Sequence, residues 1–246
     1  TDDNLMKQLG PIRNLIRARD EGADVLYTLC SMCDNTLKRA NYLIREEDDK
    51  RDKINSFMDQ ETDYEGNVEV SHYLELLRDD LGWGAVHDRV VNPLEDLTVA
   101  PYYGCMLTRP EEIGLDDPHD PTVFDELVKS LGGTTVDFPY ESECCGSYNT
   151  VDNKEMVLNK TQTITAGANK SGADIIITSC PLCHFNLDHR QSDLVEVAPN
   201  HTPVPVVYFT QLIAVAFGYP DVNGFDEHAI DPRIVLKLET KAGSQR

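Results

Sequence analysis

All seven cysteines of this 246-residue chain fall into short motifs, and the spacing of those motifs points to metal or redox chemistry. In the C-terminal half, Cys105 is followed after 38 residues by the adjacent pair Cys144-Cys145, then Gly146. Another 34 residues separate Cys145 from Cys180-Pro-Leu-Cys183. A structural zinc or a cubane iron–sulfur cluster takes four protein thiolates. Five converging thiols suggest a cluster in which one sulfur bridges, or an iron–sulfur core that departs from the cube. Adjacent cysteines close a disulfide on each other only with strain, yet they can reach two different metal atoms. Gly146 lets the backbone come close to such a centre or take a positive φ. Two other readings stand beside this one. A thioredoxin-like dithiol explains Cys180-x-x-Cys183 alone but leaves Cys105, Cys144 and Cys145 unused. A zinc staple needs four of the five.

The elements that must hold these thiols follow from a repeat. Gly22-Ala-Asp-Val-Leu-Tyr-Thr-Leu-Cys30-Ser-Met-Cys33-Asp-Asn-Thr-Leu37 matches Gly172-Ala-Asp-Ile-Ile-Ile-Thr-Ser-Cys180-Pro-Leu-Cys183-His-Phe-Asn-Leu187 at seven of sixteen positions without a gap. Each copy reads as a buried strand running into a helix, with the Cys-x-x-Cys at the turn. There the partial positive charge of a helix N-terminus favours thiolate over thiol. Helical spacing of Leu5, Leu9, Ile12, Leu15 and Ile16 predicts a helix over 4–20. The same reasoning predicts a strand over 23–29, a helix over 34–44, a solvated helical face over 46–53, and two helices over 70–91 with Trp83 between them. A second unit then begins, with a strand over 97–103, a loop over 108–121, a helix over 122–131 and a strand over 135–138. It continues with helices over 154–170 and 183–193, strands over 175–178 and 204–209, and a helix ending at Gly218. Alternating strands and helices imply an α/β fold with small parallel sheets flanked by helices, and sites gather at the carboxyl ends of such strands. The domain boundaries expected are 1–95 and 96–246. Subtracting the repeat offset of 150 from Cys105 and Cys144 gives −45 and −6, so the first copy lacks its leading half in this sequence. The start at Thr1 fits a truncated N-terminus, and upstream coding sequence is expected to carry those cysteines.

Composition narrows the function classes. A formal charge of −21 repels phosphate backbones, so nucleic acid is not an expected partner. The acidic surface suits solubility, a salty cytoplasm or docking to a basic partner. No apolar run is long enough to cross a bilayer, no secretory signal is visible, and a cytoplasmic location is expected. No glycine-rich dinucleotide fingerprint is present, so flavin or NAD is not expected on this chain.

At these same residues the chain resembles a known family. The cysteine pattern, with Tyr102-Tyr103-Gly104-Cys105, Arg109-Pro110, Thr178-Ser179-Cys180-Pro181-Leu182-Cys183-His184 and Tyr208-Phe209-Thr210-Gln211-Leu212, resembles the cysteine-rich CCG domains of heterodisulfide reductase B-type proteins. The segment Cys30-Ser-Met-Cys33 with Leu37 and Ala40-Asn41 is similar to the first of the two CCG domains usual in that family. The resemblance implies two pseudo-repeated CCG domains, each a holder of a noncubane [4Fe–4S] cluster. One cluster would sit on Cys105, Cys144, Cys145, Cys180 and Cys183. Cys30 and Cys33 would contribute to the other, whose three remaining ligands are not in this sequence. The activity implied is reduction of a disulfide to two thiols. Electrons would come from an HdrC-like ferredoxin-type iron–sulfur subunit, fed by an HdrA-like flavoprotein subunit. His184, beside Cys183, is the preferred catalytic or proton-supplying group; Tyr148, His189 and Arg109 are further candidates. An electron-relay subunit in a succinate, fumarate, lactate or glycolate system is the alternative implied by the same resemblance.

Overall fold

The computed structural model describes residues 5–238, which divide into two compact units. The first runs to Asp80 and includes Met106–Leu115; the second holds Leu81–Cys105 and the chain from Asp116 onward.

In the first unit, helix α1 (Leu5–Asp20) leads to strand β1 (Val25–Thr28), helices α2 (Ser31–Glu46) and α3 (Asp48–Phe57), strand β2 (Glu69–His72) and a single turn, α4 (Tyr73–Glu75). Strands β1 and β2 pair in parallel, with Thr28 opposite His72. Helical spacing on α1 and α2 aligns Ile12, Leu15 and Ile16 with Leu37, Ala40, Leu43 and Ile44, and these close over Tyr64, Val68 and Val70. Asn41 pins the approach to β2. Its amide donates to Val68 O at 2.7 Å, and its oxygen accepts from the Tyr64 hydroxyl at 2.9 Å.

The second unit contains α5 (Trp83–His87), β3 (Thr98–Pro101), α6 (Val123–Ser130), β4 (Thr134–Thr135), α7 (Lys154–Lys170), β5 (Ile175–Thr178), α8 (Pro181–Val197), β6 (Val206–Tyr208) and α9 (Phe209–Ala216). Its four strands lie in the order β4-β3-β5-β6, all parallel. Central strand β5 carries Ile175, Ile176 and Ile177, all fully buried. Burial of a side chain of this size contributes about 1.5–3 kcal/mol, so β5 anchors the unit. Gln191 in α8 plays the part that Asn41 plays in α2. It donates to Val204 O at 2.8 Å and accepts from Val204 N at 3.0 Å, fixing the entry to β6.

Around the two Cys-x-x-Cys motifs the order is helix, strand, helix, as α1-β1-α2 and as α7-β5-α8; beyond them the units differ, because α3 precedes β2 whereas β6 follows α8 directly. The expected helices over 70–91 are corrected. Residues 69–72 form a strand, and the helical turns after it are short, with a π-type turn over Leu76–Leu81. Buried Val68, Val70 and His72 alternate with exposed neighbours, the period-two pattern of a strand. Strand β4 is reduced to two residues, and both Cys-x-x-Cys helices start earlier than expected. Cys30 and Cys180 are the N-cap residues, so Cys33 and Cys183 sit within the first turn. Pro181 favours this start, because its missing N–H is one that a first turn leaves unbonded.

Candidate metal centre

The ends of β3 and β5 and the loop that follows β4 deliver the five thiols. After β3 the ladder continues one residue, with Tyr102 N donating to Ile177 O at 2.9 Å. Gly104 then turns the chain at φ +67° and bonds Glu141 O through its N–H at 2.9 Å. A Cβ on Gly104 would stand 3.5 Å from the Cys183 sulfur and 3.4 Å from the Tyr102 ring, so the backbone lies directly against the thiols. Fully buried Tyr102 donates its hydroxyl to Glu143 O at 2.6 Å and so fixes the loop that presents Cys144 and Cys145. Gly146, at φ +76°, directs its N–H to the Cys144 sulfur at 3.3 Å. Strand β5 ends at Thr178, whose hydroxyl accepts from Cys180 N.

The thiols meet. Cys145 and Cys183 share a hydrogen bond with their sulfurs 3.2 Å apart, and Cys105 bonds Cys144 as Cys180 bonds Cys183. The hydrogen bond from Cys105 holds the Cys144 thiol down at about 6, and the same bond with burial pushes Cys105 up. The hydrogen bond with Cys183 lowers Cys145. Cys145, Cys180 and Cys183 are buried, whereas Cys105 and Cys144 are half-buried. Asn186, fully buried in α8, donates to Cys145 O at 3.2 Å and lies 3.7 Å from its sulfur. The donor set suits a soft, sulfur-ligated metal cluster: five thiols, two with depressed protonation, backbone N–H directed at sulfur, and a glycine where a side chain would intrude.

The other residues singled out in the sequence lie in different surroundings. Cys30 is half-buried and Cys33 exposed; Cys33 N donates to the Cys30 sulfur at 3.4 Å in the first unit. Arg109 offers its carbonyl to Asn35 at 2.6 Å. Tyr148 is exposed on the turn after Gly146. His189 stacks on Phe185 with ring centroids 5.0 Å apart. His184 Nε2 lies 3.1 Å from Val206 O, and its ring meets that of His228 edge-on at 4.7 Å. Burial lowers its pKa. These contacts face β6 and the segment after α9.

Sequence reasoning missed two polar clusters. In the first unit, buried Asp34 accepts from Thr28 at 3.1 Å and pairs with Lys38 at 3.1 Å, and Lys38 also reaches Glu75 at 2.8 Å. Burial pushes Asp34 up to about 6 against the pull of Lys38. In the second unit, ligand atoms of His184, Asp188 and His228 lie within 4.8 Å of one another. Hydrogen-bond directions argue against a metal there. The Gln211 oxygen accepts from Tyr208 N, so its NH₂ faces His228 Nε2 at 2.9 Å. That leaves the proton on His228 Nδ1, a buried atom without a partner. A cation would need a lone pair at that atom. Spacing by four in a helix, as for His184 and Asp188 or Asp34 and Lys38, was the available signal.

Residues 99–188 match the family described as CCG, a cysteine-rich domain. The chain is 32% identical, over 89% of its length and 74% of the relative's, to the B subunit of the ferredoxin/F(420)H(2)-dependent CoB-CoM heterodisulfide reductase of Methanosarcina acetivorans. It is 34% identical, over 93% of its length and 80% of the relative's, to the 8-methylmenaquinol:fumarate reductase membrane anchor subunit of Wolinella succinogenes. Among the described residues, no helix is long and apolar enough to cross a membrane. A hypothetical protein from Helicobacter pylori shares the fold, with a TM-score of 0.62 at 12% identity over 79% of this chain and 35% of that one. With residues 99–188 matching the cysteine-rich domain and about a third of its sequence identical to these relatives over most of its length, the chain belongs to the CCG cysteine-rich family of heterodisulfide reductase B-type proteins.

Proposed function

We propose that this chain is the iron–sulfur subunit of a multi-subunit oxidoreductase, and that its reaction is reduction of a disulfide to two thiols. The observation carrying this reading is the gathering of five thiols at the strand ends of the second unit. Cys105, Cys144, Cys145, Cys180 and Cys183 would hold a noncubane [4Fe–4S] cluster, and Cys30 and Cys33 would contribute to a second. When bound, such a cluster supplies single electrons and iron with affinity for sulfur. The surrounding residues supply the enclosure. Tyr102 seals the buried side and fixes the Cys144-Cys145 loop, Gly104 and Gly146 let backbone approach, and Asn186 directs an N–H toward the Cys145 sulfur. The overall change is one disulfide, two electrons and two protons to two thiols: the S–S bond breaks and two S–H bonds form. Electrons arrive from a ferredoxin-type partner, itself served by a flavoprotein. His184, neutral and bonded to Val206 O, acts by holding α8 against β6 behind Cys183.

A second reading rests on the relative named as a fumarate reductase subunit. In it the same cluster relays electrons to a quinone or another protein. One experiment separates the two. The chain, loaded anaerobically, is assayed for iron and acid-labile sulfide, reduced with dithionite, and mixed with a disulfide or a water-soluble naphthoquinone in a stopped-flow spectrometer. Reoxidation by the disulfide supports the reductase, and reoxidation by the quinone alone supports the relay. A colourless zinc protein would sink both.

A further inference from the structure

Asn186 follows Cys183 by three residues in α8 and is fully buried. Its side-chain NH₂ meets Cys145 twice, 3.2 Å from the carbonyl oxygen and 3.7 Å from the sulfur. The second length is long for a bond to oxygen but suits sulfur, whose radius is larger. Turning the amide round would set its own oxygen against the Cys145 carbonyl, so its orientation is fixed. One N–H holds the Cys145 backbone and the other faces its sulfur. Cys145 is only 1% exposed, so no water competes for these bonds. The Ser147 backbone N–H is a further donor to the same sulfur.

The other half of the amide gains nothing. Asn186 Oδ1 is buried with no hydrogen-bond partner among the described residues. An unpaired buried acceptor costs stability, and an apolar side chain of similar size would avoid that cost. What the asparagine contributes is therefore its NH₂ on Cys145. The matching position of the first Cys-x-x-Cys repeat, three residues after Cys33, holds Thr36. Its hydroxyl bonds back to Met32 O at 2.8 Å within its own helix. The course of α8 has a separate tie: the Thr161 hydroxyl of α7 donates to the backbone oxygen of Asn186 at 3.0 Å.

Resting on the cluster reading above, we propose that Asn186 is a positioning residue that raises the reduction potential of a cluster held by Cys145. An N–H aimed at a ligating sulfur draws off negative charge and so favours the electron-rich state. The step is a reversible one-electron reduction in which no bond breaks, with dithionite as reductant and ferricyanide as oxidant.

The full chain, loaded anaerobically with iron and sulfide, is titrated between these two reagents, and the midpoint is read from its electron paramagnetic resonance signal. Asn186→Thr removes the N–H donor at nearly equal volume. Its midpoint is expected to fall by at least about 28 mV, a threefold weaker hold on the electron. Thr161→Val removes the tie to the same turn of α8. It should lower the melting temperature and leave the midpoint where it is. A second measurement needs no variant. In wild-type chain whose asparagine side chains carry nitrogen-15, pulsed resonance should show that nucleus coupled to the cluster signal. An unmoved midpoint in Asn186→Thr, an equal fall in Thr161→Val, or a wild-type signal without nitrogen-15 coupling overturns the proposal. If Asn186→Thr takes up no iron, the coupling alone decides. A wild-type chain that binds no iron and sulfide overturns the cluster reading and this proposal with it.

Discussion

A buried imidazole in the first unit ties stability to pH. His72 is fully buried at the end of β2, and its Nδ1 accepts from Leu74 N at 3.2 Å to cap the turn after it. Burial, aided by nearby Lys38, drives its pKa from 6.5 down to about 3. A histidine whose pKa is lower folded than unfolded binds fewer protons in the native state. Stability is therefore present above 6.5 and is lost as pH falls from 6.5 toward 3. At about 1.4 kcal/mol per pKa unit, that interval bounds the loss at about 5 kcal/mol. Asp34, pushed up to about 6, has the opposite sign, so the wild-type curve mixes the two. His72→Asn isolates the histidine: asparagine keeps a capping acceptor but does not titrate. Urea unfolding between pH 7 and pH 4.5 should show a smaller loss in the variant, by about 2 kcal/mol. Parallel curves would show that the imidazole is not sealed from water. No sequence pattern announced this group, because a histidine at the end of an alternating run looks the same whether it caps a turn or faces solvent.

At the scale of elements, what was legible followed from how far local pattern governs structure. Helices α1 and α6 were readable because each buries mostly apolar residues at helical spacing. Strand β5 was readable as an apolar run between turn residues. Strand β2 was not, because its four residues acquire their state from pairing with β1, from which two helices separate it in sequence. Strand β4 was overdrawn, because two residues of ladder give almost no periodic signal. The cysteine positions at strand ends were legible from spacing alone. The wall around them was not: Tyr102 on Glu143 O, Gly104 on Glu141 O and Asn186 on Cys145 all join residues roughly forty apart. The two Cys-x-x-Cys strands, so alike in sequence, also differ in cover. Strand β5 lies between β3 and β6, whereas β1 pairs with β2 alone among the described residues. Tyr27 of β1 is accordingly 44% exposed. Amides of Ile175–Thr178 should exchange with deuterium at least about a hundredfold more slowly than those of Val25–Thr28, since central strands open only in large unfolding events. Equal protection would mean that β1 is covered by chain or partner surface on its other edge.

For the whole molecule the dominant quantity is charge. Forty-three acidic side chains face twenty-two basic ones, giving the formal −21. Some of this is locally offset: Lys154 and Arg190 bracket Asp193, and Arg233 bonds Asp226 and Asp231. Such exposed pairs are worth at most about 1 kcal/mol each, and they leave the surplus untouched. A surplus of one sign destabilises a compact state by self-repulsion, and an unfolded chain relieves it by moving the charges apart. Salt screens the folded state more, because there the carboxylates are closer together. Raising NaCl from 0.05 to 0.5 M shortens the Debye length from about 14 Å to about 4 Å, below the spacing of most surface carboxylates. The melting temperature should therefore rise by several degrees over that range, as it would for about 1 kcal/mol in a domain of this size. Potassium chloride should act as sodium chloride does, because screening depends on ionic strength and not on the cation. If the melting temperature stays flat, the carboxylates are already compensated. A rise specific to one cation would instead reveal a bound ion.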